Sequence, residues 1–225
     1  MSNLTYLGHS AFLLKSSNFT ALFDPFQVTG KLGQKEMEEI DAIFVTHGHG
    51  DHFGDTLEIA RISKATVYTN MELANWLAKN GVPSVGLQFG VANFDFGQVR
   101  VTSAKHSNSF CLEPTYPCGE ACGFILTLDG KKIYHAGDTA LTADMQLLQG
   151  ENLDVACLPI GGYYTMDARD AVRATTLIAP KIVVPMHFNT FAQIKQNPAE
   201  FAKMVQNSNL QTEVKVLEIG ESLCF

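Results

Sequence analysis

This chain of 225 residues has few charged residues, and it lacks both a membrane-length apolar run and a recognisable secretion signal. Only 17% of the residues are charged, which argues against long disordered tails. No apolar run reaches the roughly 18 residues that a membrane-spanning helix needs, so we expect no membrane span. The first residues lack a basic segment followed by a long apolar stretch, and we therefore expect a cytoplasmic location.

Hydrophobic residues make up 46% of the chain, enough to bury the core of one domain or of two fused halves. We predict a single domain over residues 1–225. The formal charge of −7 makes nucleic acid an unexpected partner. Two bound divalent cations would offset about four of those negative charges.

The chain has too few cysteines for a fold that is held together by disulfide bonds. There are five cysteines, an odd number, and no secretion signal accompanies them. Cys118 and Cys122 have the spacing of half a zinc site, but no second Cys/His pair with structural-zinc spacing is present. We expect both to be ordinary reduced thiols.

Apolar runs and amphipathic segments alternate along the whole chain, which predicts a layered α/β protein with sheets inside and helices outside. The predicted strands are 4–7, 11–15, 21–23, 42–46, 66–68, 91–96, 99–104, 123–128, 132–135, 154–158, 181–185 and 214–217. The predicted helices lie near 55–63, 70–80, 141–149, 167–178 and 198–207. Asn70 and Asn197 are expected to cap two of these helices, and Pro198 suits a first helical position.

The segment Thr46-His47-Gly48-His49-Gly50-Asp51-His52 directly follows a predicted strand. It holds four ligand-type side chains within six residues, an arrangement that rarely arises by chance. Neutral imidazole and carboxylate suit Zn²⁺, Mn²⁺ and Fe²⁺. The two glycines permit a tight turn, so that neighbouring side chains can face different metals.

Further ligands for a two-metal site must come from distant positions. His106, Asp138 and His187 each follow a predicted strand at a short distance. Loops at one end of a rigid sheet are where sites are usually built. The sequence therefore predicts a binuclear metal site formed by His47, His49, Asp51, His52, His106, Asp138 and His187.

These motifs resemble those of the metallo-β-lactamase superfamily over nearly the whole chain. The matching positions, in the order of the five family motifs, are Asp24, His47 to His52, His106, Asp138 and His187. Segments 8–12, 134–139, 159–162 and 184–188 are similar to the UPF0173 metal-dependent hydrolases. They are similar, more distantly, to ascorbate-6-phosphate lactonases and N-acylphosphatidylethanolamine phospholipases.

The resemblance implies a four-layered αββα sandwich with the site at one edge of its two sheets. It implies one metal held by His47, His49 and His106, and a second held by Asp51, His52 and His187, with Asp138 between them. It implies a structural role for Asp24. Asp138 stands where β-lactamases of the main group have cysteine, and His49 stands where flavodiiron proteins usually have glutamate, so hydrolysis is favoured over those two activities.

The expected chemistry is attack by a hydroxide that bridges two divalent metals on a small ester, lactone or thioester. Two cations lower the pKa of bound water from ~15.7 towards 7, and a metal can polarise the substrate oxygen. Asp51 is predicted to act as both ligand and proton acceptor. Zinc is the metal that we expect first, and manganese and iron fit the same ligands.

Two histidines outside the ligand set are candidate catalytic residues. His9 lies between two early strands, where it could support the site or donate a proton; the alternative is a hairpin histidine with a backbone partner. His135 precedes Asp138 by three positions and could orient it or protonate a leaving group. Its alternative is a strand histidine that a neighbour satisfies.

Other features leave alternatives open. Phe26, Phe53 and Phe188 could line a pocket or belong to the core. The loop 107–120 could be a lid, a surface connection or an oligomer contact, and self-association of the chain stays open. A phosphodiesterase acting on a cyclic nucleotide or phospholipid-like substrate, and a non-hydrolytic metal-binding or redox protein, are the alternatives to a small-molecule hydrolase.

Overall fold

The computed structural model describes residues 2–208 and 210–225, and its strands form two mixed sheets of seven strands each. The first sheet, in spatial order, contains β14 (Ser222–Cys224), β1 (Asn3–Gly8), β2 (Ala11–Lys15), β3 (Thr20–Phe23), β4 (Ala42–Phe44), β5 (Thr66–Asn70) and β6 (Ser84–Leu87). The second contains β13 (Glu213–Val214), β12 (Ile182–Met186), β11 (Val155–Pro159), β10 (Lys131–His135), β9 (Cys122–Leu128), β8 (Gly97–Ser103) and β7 (Gly90–Phe94).

The strand directions explain why distant residues meet at one edge. In the second sheet, β8, β9 and β10 pair antiparallel, while β10, β11 and β12 pair parallel. Strands β8, β10 and β12 therefore all end at the same edge. In the first sheet, β3 and β4 are parallel and end together. The loops that follow these five strands carry the candidate site.

Side chains of alternate residues in the first sheet point to opposite faces of the sheet. Phe12, Phe23 and Phe44 belong to the cluster between the sheets, where the rings of Phe44 and Phe124 are 5.4 Å apart. Their neighbours Leu13, Leu22 and Ile43 belong to a separate apolar cluster with the helices. Strands that are covered on both faces have continuous apolar sequences, and the strands of this sheet show that pattern.

Six α-helices lie in the described part of the chain, together with 3-10 segments at Ala143–Glu151 and Ala192–Ile194. They are α1 (Gln34–Glu38), α2 (Gly50–Phe53), α3 (Thr56–Ser63), α4 (Met71–Lys79), α5 (Ala168–Ile178) and α6 (Pro198–Asn207). Helices α3 and α4 pack on the first sheet through Ile59, Leu73 and Leu77. Helices α5 and α6 join the cluster of the second sheet, so the predicted four-layered αββα sandwich is confirmed.

The helix caps follow the sequence signals. Asn70 accepts a hydrogen bond from the backbone N–H of Leu73, and Asn197 accepts one from that of Ala199, with Pro198 at the start of α6. Among the described helices, none has both the length and the apolar character that crossing a bilayer requires.

Several predicted elements differ from the structure. The helix predicted over 141–149 is a 3-10 segment, which buries Met145 and Leu148 but leaves Leu147 79% exposed. The strand predicted over 214–217 is reduced to Glu213–Val214. Strands β6 and β14 and helix α1 were not predicted, because their short segments have no clear apolar period; α1 buries only Met37.

Candidate metal centre

All seven predicted ligand side chains come together at the edge where β4, β8, β10 and β12 end. Their nitrogen and oxygen atoms form three overlapping groups, in each of which the atoms lie within 4.8 Å of one another. The groups are His47, His49 and His106; His9, Asp51, His52 and His187; and His47, His52 and Asp138. The predicted ligand side chains thus lie close enough together to hold metal ions, and His9 joins them as an additional member.

The first group consists of three imidazoles that point their nitrogens at a common position. His47 Nε2 is 3.0 Å from His49 Nδ1, which is 3.3 Å from His106 Nε2. Burial lowers the pKa of all three side chains, most strongly that of His47. Their neutral form therefore dominates at pH 7, and neutral imidazole is the form that binds a metal ion.

The second group contains a carboxylate between histidines. The Asp51 Oδ2 atom is 3.0 Å from His9 Nε2 and 3.8 Å from His187 Nε2. Burial opposes the ionisation of Asp51, but the imidazoles of His187 and His9 outweigh it and hold the pKa of Asp51 far below its usual range. Asp51 is an anion at every pH at which the protein would work.

Asp138 lies between the two groups. Its Oδ2 atom is 3.0 Å from His187 Nε2 and 3.6 Å from His106 Nε2, and its Oδ1 atom is 3.2 Å from His52 Nε2. Burial raises the pKa of Asp138, but His52 and His187 outweigh it, so the pKa is well below its usual range. This carboxylate can reach ligand positions on both sides.

The buried polar atoms at the centre test whether a metal ion fits. His52 Nε2, Asp138 Oδ1 and His187 Nε2 are shielded from solvent and make no hydrogen bond, although they lie close together. Buried polar atoms without partners are costly and rare. A divalent cation would give all three a partner, and a nitrogen and carboxylate donor set suits zinc, manganese or iron. The residues therefore fit the metal that the sequence predicts.

A buried carboxylate behind the ligands holds them in place. Asp24 accepts hydrogen bonds from the backbone N–H and the hydroxyl of Thr46, both at 2.8 Å, and from His52 Nδ1 at 2.7 Å. The Thr46 hydroxyl is also 3.0 Å from His47 Nδ1. Because that hydroxyl donates to Asp24, it accepts from His47 and leaves His47 Nε2 free for a metal. Sequence reasoning identified Asp24 but missed Thr46.

His9 lies beside the site. Its Nε2 atom faces Asp51, and its Nδ1 atom is 2.8 Å from the hydroxyl of Thr190. Burial lowers the pKa of His9, although the hydrogen bond with Asp51 opposes this shift. These contacts favour the predicted role beside the ligands over that of an isolated hairpin histidine. Thr190 was missed, because it is 181 residues away in sequence.

His135 faces away from the groups. Its Nε2 atom donates to the Ser10 carbonyl at 2.8 Å, its Nδ1 atom accepts from the Gly137 N–H at 3.2 Å, and its ring stacks on Phe23. Burial lowers its pKa, which keeps the side chain neutral. With both nitrogens occupied by backbone groups, the geometry favours the structural alternative for His135 over a role in proton transfer.

Unusual backbone conformations place several site residues. His9, Asp24 and His187 have φ values of 55°, 39° and 54°, in the left-handed region that non-glycine residues rarely occupy. Gly137, with φ at 62°, precedes Asp138, and a Cβ there would lie 2.7 Å from the Cys122 carbonyl oxygen. Strained conformations of this kind cluster at functional sites.

An open cavity of about 700 Å³ lies above the candidate ligands. It is lined by Phe26, His49, Asp51, His106, Ser107, Asp138, Tyr164, His187, Phe191 and Gln193. Of the three aromatic residues considered for a pocket, Phe26 lines this cavity. Phe53 is buried in the cluster between the first sheet and its helices, and Phe188 packs against the cluster between the two sheets. Tyr164, Phe191 and Gln193 were missed as lining residues.

The loop 107–120 is tied to the body of the protein. Phe110 is buried against Trp76, and Tyr116 donates from its hydroxyl to the Glu72 carbonyl. Cys118 is buried on the same side, and no disulfide joins it to Cys122. These contacts favour a fixed surface connection over a mobile lid, and neither thiol is joined to another cysteine.

Comparison with known proteins gives consistent matches. The profile of the beta-lactamase superfamily domain matches residues 3–187. A UPF0173 metal-dependent hydrolase of Alkaliphilus metalliredigens is 44% identical over 226 residues, which cover 99% of both chains. A UPF0173 metal-dependent hydrolase of Pyrococcus abyssi is 42% identical over 232 residues, again 99% of both. The structure of Igni18, a novel metallo hydrolase from Ignicoccus hospitalis, is similar with a TM-score of 0.88 and 37% identity, covering 99% of this chain and 98% of that chain. The chain therefore belongs to the β-lactamase superfamily, among its UPF0173 metal-dependent hydrolases.

Proposed function

We propose that this metal-dependent hydrolase binds two divalent cations and cleaves a small ester, lactone or thioester. One observation carries the proposal: Asp138 lies within 3.6 Å of histidines from both ligand groups at the floor of an open cavity. A closed structural zinc site would be four-coordinate and would not face a cavity of this size.

The groups of neighbouring side chains support the proposed ligand sets. His47, His49 and His106 would hold one cation, and Asp51, His52 and His187 would hold the other, with Asp138 shared between them. Zinc is proposed first because imidazole nitrogen dominates the donor set. When bound, the two cations would supply a hydroxide nucleophile at neutral pH and Lewis-acid polarisation of the substrate oxygen.

The surrounding residues prepare the site for that chemistry. Asp51 is ionised and can accept the proton that the nucleophilic water gives up. His9 Nε2 lies 3.0 Å from Asp51 Oδ2 and donates its N–H to that carboxylate, which orients Asp51 and leaves His9 as a candidate proton donor beside the site. Asp24 and Thr46 orient His52 and His47 from behind. This chemistry requires no cysteine or serine nucleophile, and we assign no such role to Ser107, which lines the cavity.

The test combines metal content with a substrate screen. Protein purified without added metal, and then loaded with zinc or manganese, is assayed on generic esters, lactones and bis-phosphodiesters. Asp138→Asn keeps the shape of the bridging residue but removes its charge. Asp95→Asn makes the same change on an exposed residue of the turn between β7 and β8 and serves as the matched control.

We expect about two metals per chain and ester or lactone hydrolysis in the wild type and in Asp95→Asn. Asp138→Asn should lose at least one metal and about 10³-fold or more in kcat/KM. Fewer than one tightly held metal per chain under every loading condition would refute the binuclear site. Two metals with unchanged turnover in Asp138→Asn would refute the role given to Asp138.

A further inference from the structure

The cavity above the candidate ligands has aromatic walls and carries no cationic side chain. Besides the ligands, it is lined by Phe26, Ser107, Tyr164, Phe191 and Gln193. Among the described residues that line it, none is lysine or arginine. Phe191 is 38% exposed and Tyr164 is 49% exposed, so both rings present apolar surface that a ligand would cover.

The aromatic wall stands on one side of the ligand set. The rings of Phe26 and Phe191 lie 5.4 Å and 5.5 Å from the ring of His9, and 6.3 Å from each other. His9 in turn contacts Asp51. The lining beside His106 is polar, because Ser107 directly follows His106 and lines the cavity with it. The cavity is therefore apolar beside Asp51 and polar beside His106.

We propose that the site selects acyl substrates whose acyl part is an apolar group, such as a phenyl ring or a chain of four to six carbons, bound against Phe26 and Phe191. The inference rests on the proposed function and names the substrate class of the same site. Burial of apolar surface against aromatic side chains would supply the binding free energy.

The cavity lining offers an anionic substrate no lysine or arginine, so only the proposed metal ions would meet its charge. A phosphate ester keeps a negative charge that proteins usually bind with arginine, lysine or backbone N–H groups. A lysine near the site, Lys105, lines a separate cavity that shares the wall formed by His106 and Ser107. A phosphodiester that extended into that second cavity would meet this charge in addition to the proposed metal ions, and this alternative has its own test.

Calorimetric titration of the zinc-loaded protein with acetate, butyrate, hexanoate and phenylacetate tests the apolar wall without turnover. We expect Kd to fall about fourfold per added methylene while the wall covers the chain, with a negative heat capacity change. Phenylacetate should bind at least as tightly as butyrate. Equal Kd values across the series would overturn the inference.

Kinetic measurements on two esters test whether Phe191 determines the preference for an apolar acyl group. For the wild type, kcat/KM should be higher for p-nitrophenyl hexanoate than for p-nitrophenyl acetate, and Phe191→Ala should reduce that ratio about tenfold. The matched control is Phe89→Ala, which removes a 52% exposed ring outside this cavity and should leave the ratio unchanged. An unchanged ratio in Phe191→Ala, or an equal drop in both variants, would contradict the proposed wall.

The outcomes separate this inference from the proposed function. Hydrolysis of bis(p-nitrophenyl) phosphate in preference to every ester would overturn the substrate class and leave a metal-dependent hydrolase. Loss of that hydrolysis in Lys105→Ala would place the phosphate in the second cavity. If no ester or phosphodiester is cleaved by protein that holds two metals, the proposed function fails. The calorimetric series still decides the inference in that case, because it requires no turnover.

Discussion

Asp24 Oδ2 lies 2.7 Å from His52 Nδ1, and both side chains are completely buried. This hydrogen bond directs the other ring nitrogen of His52 towards Asp138, which is 3.2 Å away. Thr46 gives Asp24 two more hydrogen bonds, so the loop that follows β3 supports the loop that follows β4. The arrangement of the candidate ligands therefore depends on a residue outside the ligand set.

Replacement of Asp24 by asparagine should weaken metal binding. The amide has one acceptor oxygen, so it cannot accept all three hydrogen bonds, and its NH₂ group would face a donor. We expect zinc affinity to fall about 10- to 100-fold, measured by competition with a chromophoric chelator. Asp41→Asn is the matched control, because Asp41 is an exposed aspartate that accepts one backbone hydrogen bond from Thr20. Unchanged affinity in Asp24→Asn would show that the ligands hold their positions without this support.

Replacement of His9 by alanine separates its proton-transfer role from metal ligation. His9 belongs geometrically to the second ligand group, but its Nε2 atom already faces Asp51 at 3.0 Å. We expect about two metals per chain to remain, while kcat/KM falls about 10²-fold. Thr190→Val, which removes the partner of His9 Nδ1, should give a smaller loss of the same kind. Loss of one metal per chain in His9→Ala would instead identify His9 as a ligand.

The sequence predicted the seven candidate ligands because each of them follows an apolar strand. Strand ends are visible in one chain, and strands that run in the same direction end at the same edge of a sheet. His106 and Asp138, for example, follow β8 and β10, which point the same way because β9 pairs antiparallel with both. The position of a residue just after a strand was therefore enough to predict that it lies near residues distant in sequence.

The remainder of the site depends on contacts that no local pattern encodes. Thr190 and Phe191 follow His187 in a segment without an apolar period, and their contacts with His9 join the two ends of the chain. His135 shows the reverse case. Its residue type and its spacing from Asp138 suggested catalysis, whereas its partners are backbone groups that only the folded chain brings near.

Asp154 should contribute to stability in a pH-dependent way. It accepts hydrogen bonds from the backbone N–H of Lys132 at 3.0 Å and from Lys181 Nζ at 2.8 Å, and so it links β10 to the start of β12. Burial opposes its ionisation, but the Lys181 hydrogen bond and the other partners outweigh it and lower the pKa of Asp154. A lowered pKa in the folded state gives stability that is present above the unfolded value of about 3.9 and is lost as the pH falls through the folded value.

Urea unfolding of Asp154→Asn across pH tests that sign. At pH 7 we expect a loss of about 1–2 kcal/mol in the free energy of unfolding, because an amide replaces a carboxylate that bonds to charged and backbone donors. The difference from the wild type should shrink as the pH falls below about 3.9, where the carboxyl group becomes protonated in the unfolded wild type while it is still ionised in the folded protein. Asp95→Asn, on an exposed turn, should change little at either pH. A difference that stays constant down to pH 2 would contradict an ionised, stabilising Asp154.

Replacement of Ala179 by glycine should stabilise the protein. Ala179 ends α5 with φ at 49° and ψ at 54°, and its N–H bonds to the Thr175 carbonyl. An L-residue in this left-handed region costs about 1–2 kcal/mol, which glycine avoids. Part of that gain is offset because glycine has more conformational freedom in the unfolded chain, so we expect a net gain of about 0.5–1 kcal/mol.

The matched control for Ala179→Gly is the same substitution inside a helix. Ala202 lies in α6, where glycine should cost about 1 kcal/mol. The urea midpoint should therefore rise for Ala179→Gly and fall for Ala202→Gly, with the slope m unchanged in both. Both substitutions lie outside the cavity, so kcat/KM should match the wild type. A fall in both midpoints would mean that entropy of the unfolded chain, and not the left-handed backbone at Ala179, determines the effect of glycine there.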